Sequence, residues 1–389
     1  MHLPMYRSRK HRSRVILAAV VGAVSLLALV PATAASADDD SHGAPTSTYA
    51  VYGDSPYGAD GAQYGATPAF IGTINADPQV GGVLMVGDLH SGSEPCTVAY
   101  DTGVAEMWKA FADPVYYTPG DNEWADCQKA KQLPALSDIA KGDPIANLAK
   151  IRELFFPRPG VTLGAHPKLV VSQSFAYDRR YPTDKQYVEN AIWAQSGVIY
   201  VTINVPGGSN NDHDVWNPFT TGSATETPAQ HDEYTNRTAA DLRWLDTAFT
   251  LARFVRAKGV VIGTQADMWD PEKGASHLSE YEPIVGRIAQ RTTEFGGPVL
   301  LFNGDSHVYR SDNPLQGGAP CATEAGACTT DGHDMHPTYN VANFHRIVVH
   351  GSTAPMEWLK LTVDPSAAAP NGATSFGPFS WQRQTQTLP

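Results

Sequence analysis

Tyr117-Thr118-Pro119-Gly120-Asp121-Asn122-Glu123-Trp124 follows the apolar run Pro114-Val115-Tyr116. The run reads as a short buried strand, and a Pro-Gly turn bearing two carboxylates and an amide closes it. Open α/β folds carry their chemistry at the carboxyl ends of sheet strands. Three further apolar runs in the chain end at once in Gly-Asp: at Gly53-Asp54, Gly87-Asp88 and Gly304-Asp305. A fifth run, Gly259-Val260-Val261-Ile262-Gly263, ends in Thr264-Gln265-Ala266-Asp267.

Between these strands the spacing predicts helices. Pro68 to Ala76 and Thr97 to Phe111 separate the first three runs, so strand, helix, strand, helix, strand reads as right-handed parallel crossovers. Residues 124–167 read as helical and loop-rich, with Ile145 to Phe156 the clearest amphipathic stretch. Strand-like runs follow at Lys168 to Ser174, Phe175 to Asp178 and Gly197 to Asn204, and suggest an antiparallel patch on the sheet. Residues 205–228 read as a long covering loop. Thr238 to Ala257 is an amphipathic helix with Leu242, Leu245, Ala248, Leu251 and Phe254 on one stripe. The sequon Asn236-Arg237-Thr238 falls at its expected start, where capping accounts for it. Tyr281 to Phe295 is a further helix; Arg346 to His350 and Trp358 to Val363 read as closing strands, and residues 364–389 as a C-terminal tail.

The amino terminus reads as a secretory signal. Arg7, Arg9, Lys10, Arg12 and Arg14 precede an apolar run from Val15 to Val30, then Pro31 and the small-residue site Ala35-Ser36-Ala37. Cleavage is expected before Asp38, with an uncleaved signal anchor as the alternative. Residues 38–47 read as a disordered leader and 48–363 as one domain. The mature protein is expected to be secreted and to form no stable membrane association. Loss of residues 1–37 removes five positive charges and no acidic group, so the formal charge of −12 becomes −17. Such a surface repels polyanions and excludes a nucleic-acid partner on electrostatic grounds. Four cysteines in an exported chain read as two disulfides, Cys321 with Cys328 in a local loop and Cys96 with Cys127 across two strand-end loops.

Carboxylates converging on one sheet edge repel one another and raise one another's pKa unless a cation neutralises them. Oxygen donors with one or two imidazoles make a metal site, suited to Fe, Mn, Zn or Ca according to the mix. Over residues 48 to about 350 the order of motifs resembles the calcineurin-like metallophosphoesterase superfamily, and the closing Gly304-Asp305-Ser306-His307 is similar to the PhoD-type alkaline phosphatases. The resemblance implies a four-layer α/β (α+β) sandwich of two packed mixed β-sheets flanked by helices, and two divalent or trivalent metal ions. It implies that Asp54 is the first ligand, Asp88 the bridging carboxylate, Asp121 the ligand in the third motif and His307 the last ligand. Tyr57 or His90 would complete the first site. Gln265, or Asp267, stands near the expected single His; Asp305 replaces the first His of the closing motif; Asn122 stands at the position of the catalytic His.

A secreted hydrolase of phosphomonoesters or phosphodiesters is the function this implies, with a small phosphorylated substrate and water activated between two cations. With Asn122 in the usual His position, His90 is the first choice to protonate the leaving oxygen, with His213 and His231 as alternatives. Glu123 is expected to support the ligands from behind, and Arg310 to pair with a phosphate oxygen. Substrate choice is assigned to residues 205–228 and 308–335. The competing function is a catalytically weakened protein of the same fold, acting outside the cell as a binding or structural protein; Asn122 and Asp305 favour it. A serine hydrolase is excluded, because the chain has no Gly-x-Ser-x-Gly elbow.

Overall fold

The computed structural model describes residues 44–58, 62–211, 215–216, 222–353 and 356–385. The expected signal segment, most of the leader and His213 lie outside the described residues.

Two sheets face each other. The first has the order β14-β15-β13-β1-β2-β3, where β1 is Ser47–Tyr52, β2 Val80–Met85, β3 Val115–Tyr117, β13 Glu357–Val363, β14 Ser375–Phe376 and β15 Phe379–Thr385. The second has the order β11-β10-β9-β12-β8-β7-β6-β5-β4. Its strands are β4 Val171–Ser172, β5 Ala191–Gln195, β6 Val198–Thr202, β7 Gly259–Gly263, β8 Val299–Asn303, β9 Arg310–Asp312, β10 Ala322–Thr323, β11 Gly326–Ala327 and β12 Phe344–Val348. β1, β2 and β3 run parallel, as do β6, β7, β8 and β12. Antiparallel partners extend both groups, so both sheets are mixed.

Helices cover the two outer faces. α1 (Ala62–Asn75), α2 (Val98–Trp108) and α3 (Pro144–Phe155) belong to the first sheet; α4 (Pro228–Val255) and α5 (Glu282–Phe295) belong to the second. Strand alternation divides the burial. On β1, Tyr49 and Val51 point between the sheets while Ala50 and Tyr52 point to the helices. Both faces are therefore apolar, which is why these strands read as unbroken hydrophobic runs. Between the sheets Tyr116 of β3 stacks on Trp193 of β5 at 4.0 Å, and Trp193 stacks on Tyr200 of β6. The four-layer α/β sandwich that the motifs implied is the fold observed.

Several local expectations are corrected. Residues 175–178 do not continue a strand: Gln173–Ala176 is a short helical turn, capped by the Ser172 hydroxyl accepting from Ser174 N. The antiparallel partner of β6 is β5, a five-residue strand masked in the sequence by polar neighbours. α4 starts ten residues before the expected Thr238, with Thr227 as its cap accepting from Gln230 N, so the sequon lies inside the helix with Thr238 buried. The expected C-terminal tail instead contains β14 and β15. Phe379 and Trp381 of β15 alternate into the inter-sheet core, and the strand pairs with β13 along its whole length. Among the described residues no helix is long and apolar enough to cross a membrane.

One buried imidazole gives the fold a pH dependence. His345 on β12 sits against the Ser311 hydroxyl (2.9 Å) and the Asn371 side-chain oxygen (2.6 Å), and burial pushes its pKa down to about 4. An unfolded histidine titrates near 6.5. Below that pH the unfolded chain takes up a proton that the folded chain refuses, so stability falls as pH drops from about 6.5 to about 4. The loss attributable to this group is about 3 kcal/mol over that window, and none accrues above it. Urea unfolding at several pH values is expected to show a shallower acid slope for His345→Gln than for the parent.

Candidate metal centre

The parallel strands of both sheets end at one edge, and the turns that follow them meet there. β1 delivers Asp54, β2 delivers Asp88, β3 delivers Asp121, β7 delivers Gln265, and β8 delivers Asp305 and His307. Each turn is tight: Asp54 (φ 49°), Asp88 (φ 60°), Asp305 (φ 75°) and His307 (φ 66°) all occupy the left-handed region. Non-glycine residues rarely stay there, and where they do the surroundings fix them, commonly at functional sites. The neighbouring glycines make the approach possible. A Cβ on Gly120 would meet Asp88 Oδ1 at 2.0 Å, and one on Gly304 would meet Asp54 Oδ2 at 2.2 Å.

Asp54, Asp88 and His307 place one ligand atom each within 4.8 Å of one another. Among the described residues this is the one such group of acidic, histidine or cysteine side chains. His307 Nε2 lies 3.4 Å from Asp54 Oδ1. The Tyr57 hydroxyl stands 3.2 Å from His307 Nε2 and 3.4 Å from Asp88 Oδ2. Asn122 adds support, its Nδ2 donating to the Tyr57 hydroxyl (3.0 Å) and its backbone N–H to Asp88 Oδ1 (3.2 Å).

Burial sets the electrostatics. Asp54 and Asp88 are buried, and loss of solvent pushes both carboxyls well above the usual range, with the charges of Asp121 and other acids in the cluster adding to it. Burial raises Asp305 likewise and Asp121 to about 6. His307 is pushed down to about 4, first by burial and then by Lys131 and Lys273, so it is held neutral. Asp54 Oδ2 is buried without a hydrogen-bond partner. Clustered carboxylates, an orphaned carboxylate oxygen and a neutral imidazole are the donor set a hard or borderline cation takes. The residues at this position therefore fit a metal ion.

The other expected ligands fare differently. Gln265 turns its amide nitrogen, a donor, to the carboxylates: Nε2 gives hydrogen bonds to Asp88 Oδ2 (3.0 Å) and Asp121 Oδ1 (2.9 Å). Its oxygen accepts from Gly207 N at 2.5 Å, so the ligand role expected of Gln265 is not what its orientation offers. Asp267 is an ion-pair partner of the buried Arg346, and its backbone N–H donates to Asp305 Oδ2. Asp305 in turn donates its own N–H to Asp54 Oδ1 (3.0 Å), which ties the closing motif to the first.

Glu123 stands behind the opening turn. One oxygen accepts from Gly120 N and from the Tyr117 hydroxyl, both at 2.6 Å, and burial pushes the carboxyl up to about 7. His90 is corrected as a proton donor. It is buried against Tyr100 and contributes nothing to the cleft wall; its Nδ1 faces the Ser91 carbonyl at 3.1 Å. His231 is exposed on the first turn of α4 beside Glu226. Arg310 is corrected as a phosphate partner, because its guanidinium is committed to Asp312 (2.6 Å) and the Thr330 carbonyl (2.7 Å). Both expected disulfides are present, and Cys96–Cys127 joins the loops after β2 and β3.

A cleft of about 470 Å³ opens onto the centre. Tyr57, Asp88, Asp121, Asn122, Asp305 and His307 form its floor. Lys129, Lys131, Lys273 and His277 stand in its walls, and sequence reading missed all four. The signal was available for two of them: Lys129 and Lys131 stand two and four residues after Cys127, and a bridge to Cys96 pins that loop beside the strand ends. No residue of 308–335 lines the cleft; the segments that do include 91–93, 126–131 and 273–281, with Gly208 and Ser209 from the expected loop.

No protein-family model matches the sequence, and no curated protein matches it. Solved structures similar to the chain include purple acid phosphatase PPD1 from seeds of yellow lupin (Lupinus luteus). That pair is 11% identical with a TM-score of 0.42 over 88% of this chain and 52% of the other. GAP50, the anchor in the inner membrane complex of Plasmodium, is 8% identical with a TM-score of 0.38, over 86% of this chain and 78% of that one. A dimetal phosphatase from Danio rerio is 11% identical with a TM-score of 0.39, over 87% and 98% of the two chains. The chain spans about half the length of the lupin phosphatase.

Proposed function

We propose that this protein is a secreted, metal-dependent phosphoester hydrolase acting on a small phosphorylated molecule. The observation that carries the reading is the convergence of Asp54, Asp88 and His307 at the carboxyl edge of the parallel strands. The ordered motifs, the lysines in the cleft lining and the two disulfides support it, and the signal-like N-terminal sequence supports export.

Asp54, Asp88 and His307 would hold the cation, with Tyr57 completing the set. A cation there supplies Lewis acidity toward a phosphoryl oxygen and lowers the pKa of water. The chain's own residues do the rest. Lys131, which also lies 3.5 Å from Asp126, and Lys273 place positive charge in the lining of an otherwise acidic cleft, which favours entry of an anionic ester. Asn122, at the cleft floor, orients the Tyr57 hydroxyl. His277 lines the same cleft. His307, held neutral, offers a ring nitrogen as a ligand atom.

The test is a thermal melt with and without manganese, run beside a panel of nitrophenyl phosphomonoesters and phosphodiesters. Binding to the folded state alone stabilises by about 2.7 kcal/mol at a hundredfold excess over the dissociation constant. A rise in the melting midpoint that chelator reverses, together with release of nitrophenol, is the expected result. The absence of both would sink the proposal. A rise without turnover on any ester would support the second reading, a binding protein, which the donor orientation of Gln265 favours.

A further inference from the structure

The resemblance to the metallophosphoesterases implies two cations, and the geometry around Gln265 disagrees with the second. We propose that the centre takes a single cation, at Asp54, Asp88 and His307, and that the side-chain amide of Gln265 fills the place between Asp88 and Asp121 where another ion would stand. The inference rests on the metal-dependent reading above and deepens it.

Hydrogen-bond chemistry fixes the amide's orientation. Gly207 N–H can only donate, so the Gln265 atom 2.5 Å away is the oxygen. The two N–H hydrogens then point at Asp88 Oδ2 and Asp121 Oδ1, at 3.0 and 2.9 Å. Turning the amide over would set N–H against N–H at Gly207 and oppose a carbonyl oxygen to two carboxylates. Each of those contacts is repulsive, so the observed orientation is the one the surroundings allow.

The position is built for this side chain. Gln265 is fully buried. A Cβ on Gly87 would lie 2.6 Å from both Cβ and Cγ of Gln265, and one on Gly120 would lie 2.8 Å from its Cγ. Gly87 also has φ +90°, a conformation that side chains resist. Two strand-end glycines thus make the room that the Cβ and Cγ of Gln265 occupy. A cation bridging Asp88 and Asp121 needs both carboxylate oxygens within about 2.0–2.6 Å. It would have to displace N–H groups already bonded to those oxygens, and it would meet their positive ends. Asp267 offers no compensation, because its carboxylate is held by Arg346 and the Ser306 hydroxyl.

The experiment counts manganese. The full chain, dialysed against excess Mn²⁺ and then against buffer, is analysed for metal per chain and by electron paramagnetic resonance. About one equivalent with the spectrum of an isolated ion is expected. Two equivalents with an exchange-coupled spectrum would overturn this inference and leave the metal-dependent reading standing. No bound metal would remove both. Gln265→Glu, which exchanges the donor for a carboxylate of the same shape, is expected to raise the count from one to two. A folded Gln265→Glu protein that stays at one equivalent overturns the role given to the amide. Where circular dichroism shows that variant unfolded, Gln265→His makes the same test with the same two outcomes.

Discussion

Asp88→Asn is expected to strip the centre of its cation and to lower phosphoester hydrolysis by about 10²–10³-fold, while the metal-free protein keeps or gains stability. The first part follows from position. Asp88 links several parts of the centre, accepting from Asn122 N and Gln265 Nε2 and lying beside Tyr57. An amide there cannot supply an anionic ligand, and Lewis-acid stabilisation of several kcal/mol corresponds to that loss of rate. The second part follows from burial. Asp88 is a carboxylate among carboxylates, destabilised in its charged form by loss of solvent and by Asp121 and Asp54. Removing its charge relieves that repulsion in the absence of metal. Elemental analysis, steady-state rates and metal-free melting curves on the variant check the three statements together. A variant that retains metal and rate would remove Asp88 from the centre.

The second large effect lies behind the site. Arg346 is a fully buried guanidinium on β12, in a bidentate pair with Asp312 (2.9 and 2.8 Å), in contact with Asp267 and 5.5 Å from the Trp269 ring centroid. Arg346→Ala leaves two buried carboxylates short of their partner, and breaking such a pair costs about 3–5 kcal/mol. Arg310 still reaches Asp312, so the deficit falls mainly on Asp267. Because Asp267 N holds Asp305 and the Ser306 hydroxyl holds Asp267, the closing motif is expected to loosen and metal affinity to fall with stability. Denaturant unfolding checks the magnitude, and Arg346→Lys, which keeps the charge but loses the fork, is expected to fall between parent and Ala.

The parts of this architecture legible in the sequence are those where one residue pattern has one physical cause. β1, β2, β7 and β8 are buried on both faces, so each reads as a short apolar run, and the turn after each carries the group that reaches the edge. The Gly-Asp pairs announce those turns because the glycines admit the carboxylates and the aspartates tolerate the left-handed backbone. Elements whose stability comes from partners far along the chain were not legible. β5 is a short strand made by pairing with β6, and β15 alternates Phe379 and Trp381 with polar residues beside Gly377 and Pro378. The first ten residues of α4, from Pro228, are polar and show no stripe.

In the site, residue type could be read but orientation could not. Gln265 is at the expected place with its donor end inward, His90 is two residues from Asp88 yet sealed against Tyr100, and Arg310 is three residues from His307 yet bound to Asp312. Arg346 went unnoticed although a lone arginine inside Phe344-His345-Arg346-Ile347-Val348 is itself a signal. A charge in a buried strand requires a buried partner, and here the partners are Asp267 and Asp312.

The central claim is tested most directly by nitrophenyl ester hydrolysis in one preparation followed through chelation, dialysis and return of manganese. The account predicts turnover that vanishes with the metal and returns with it. Turnover that is indifferent to chelation, or that never appears in metal-replete protein, would contradict it.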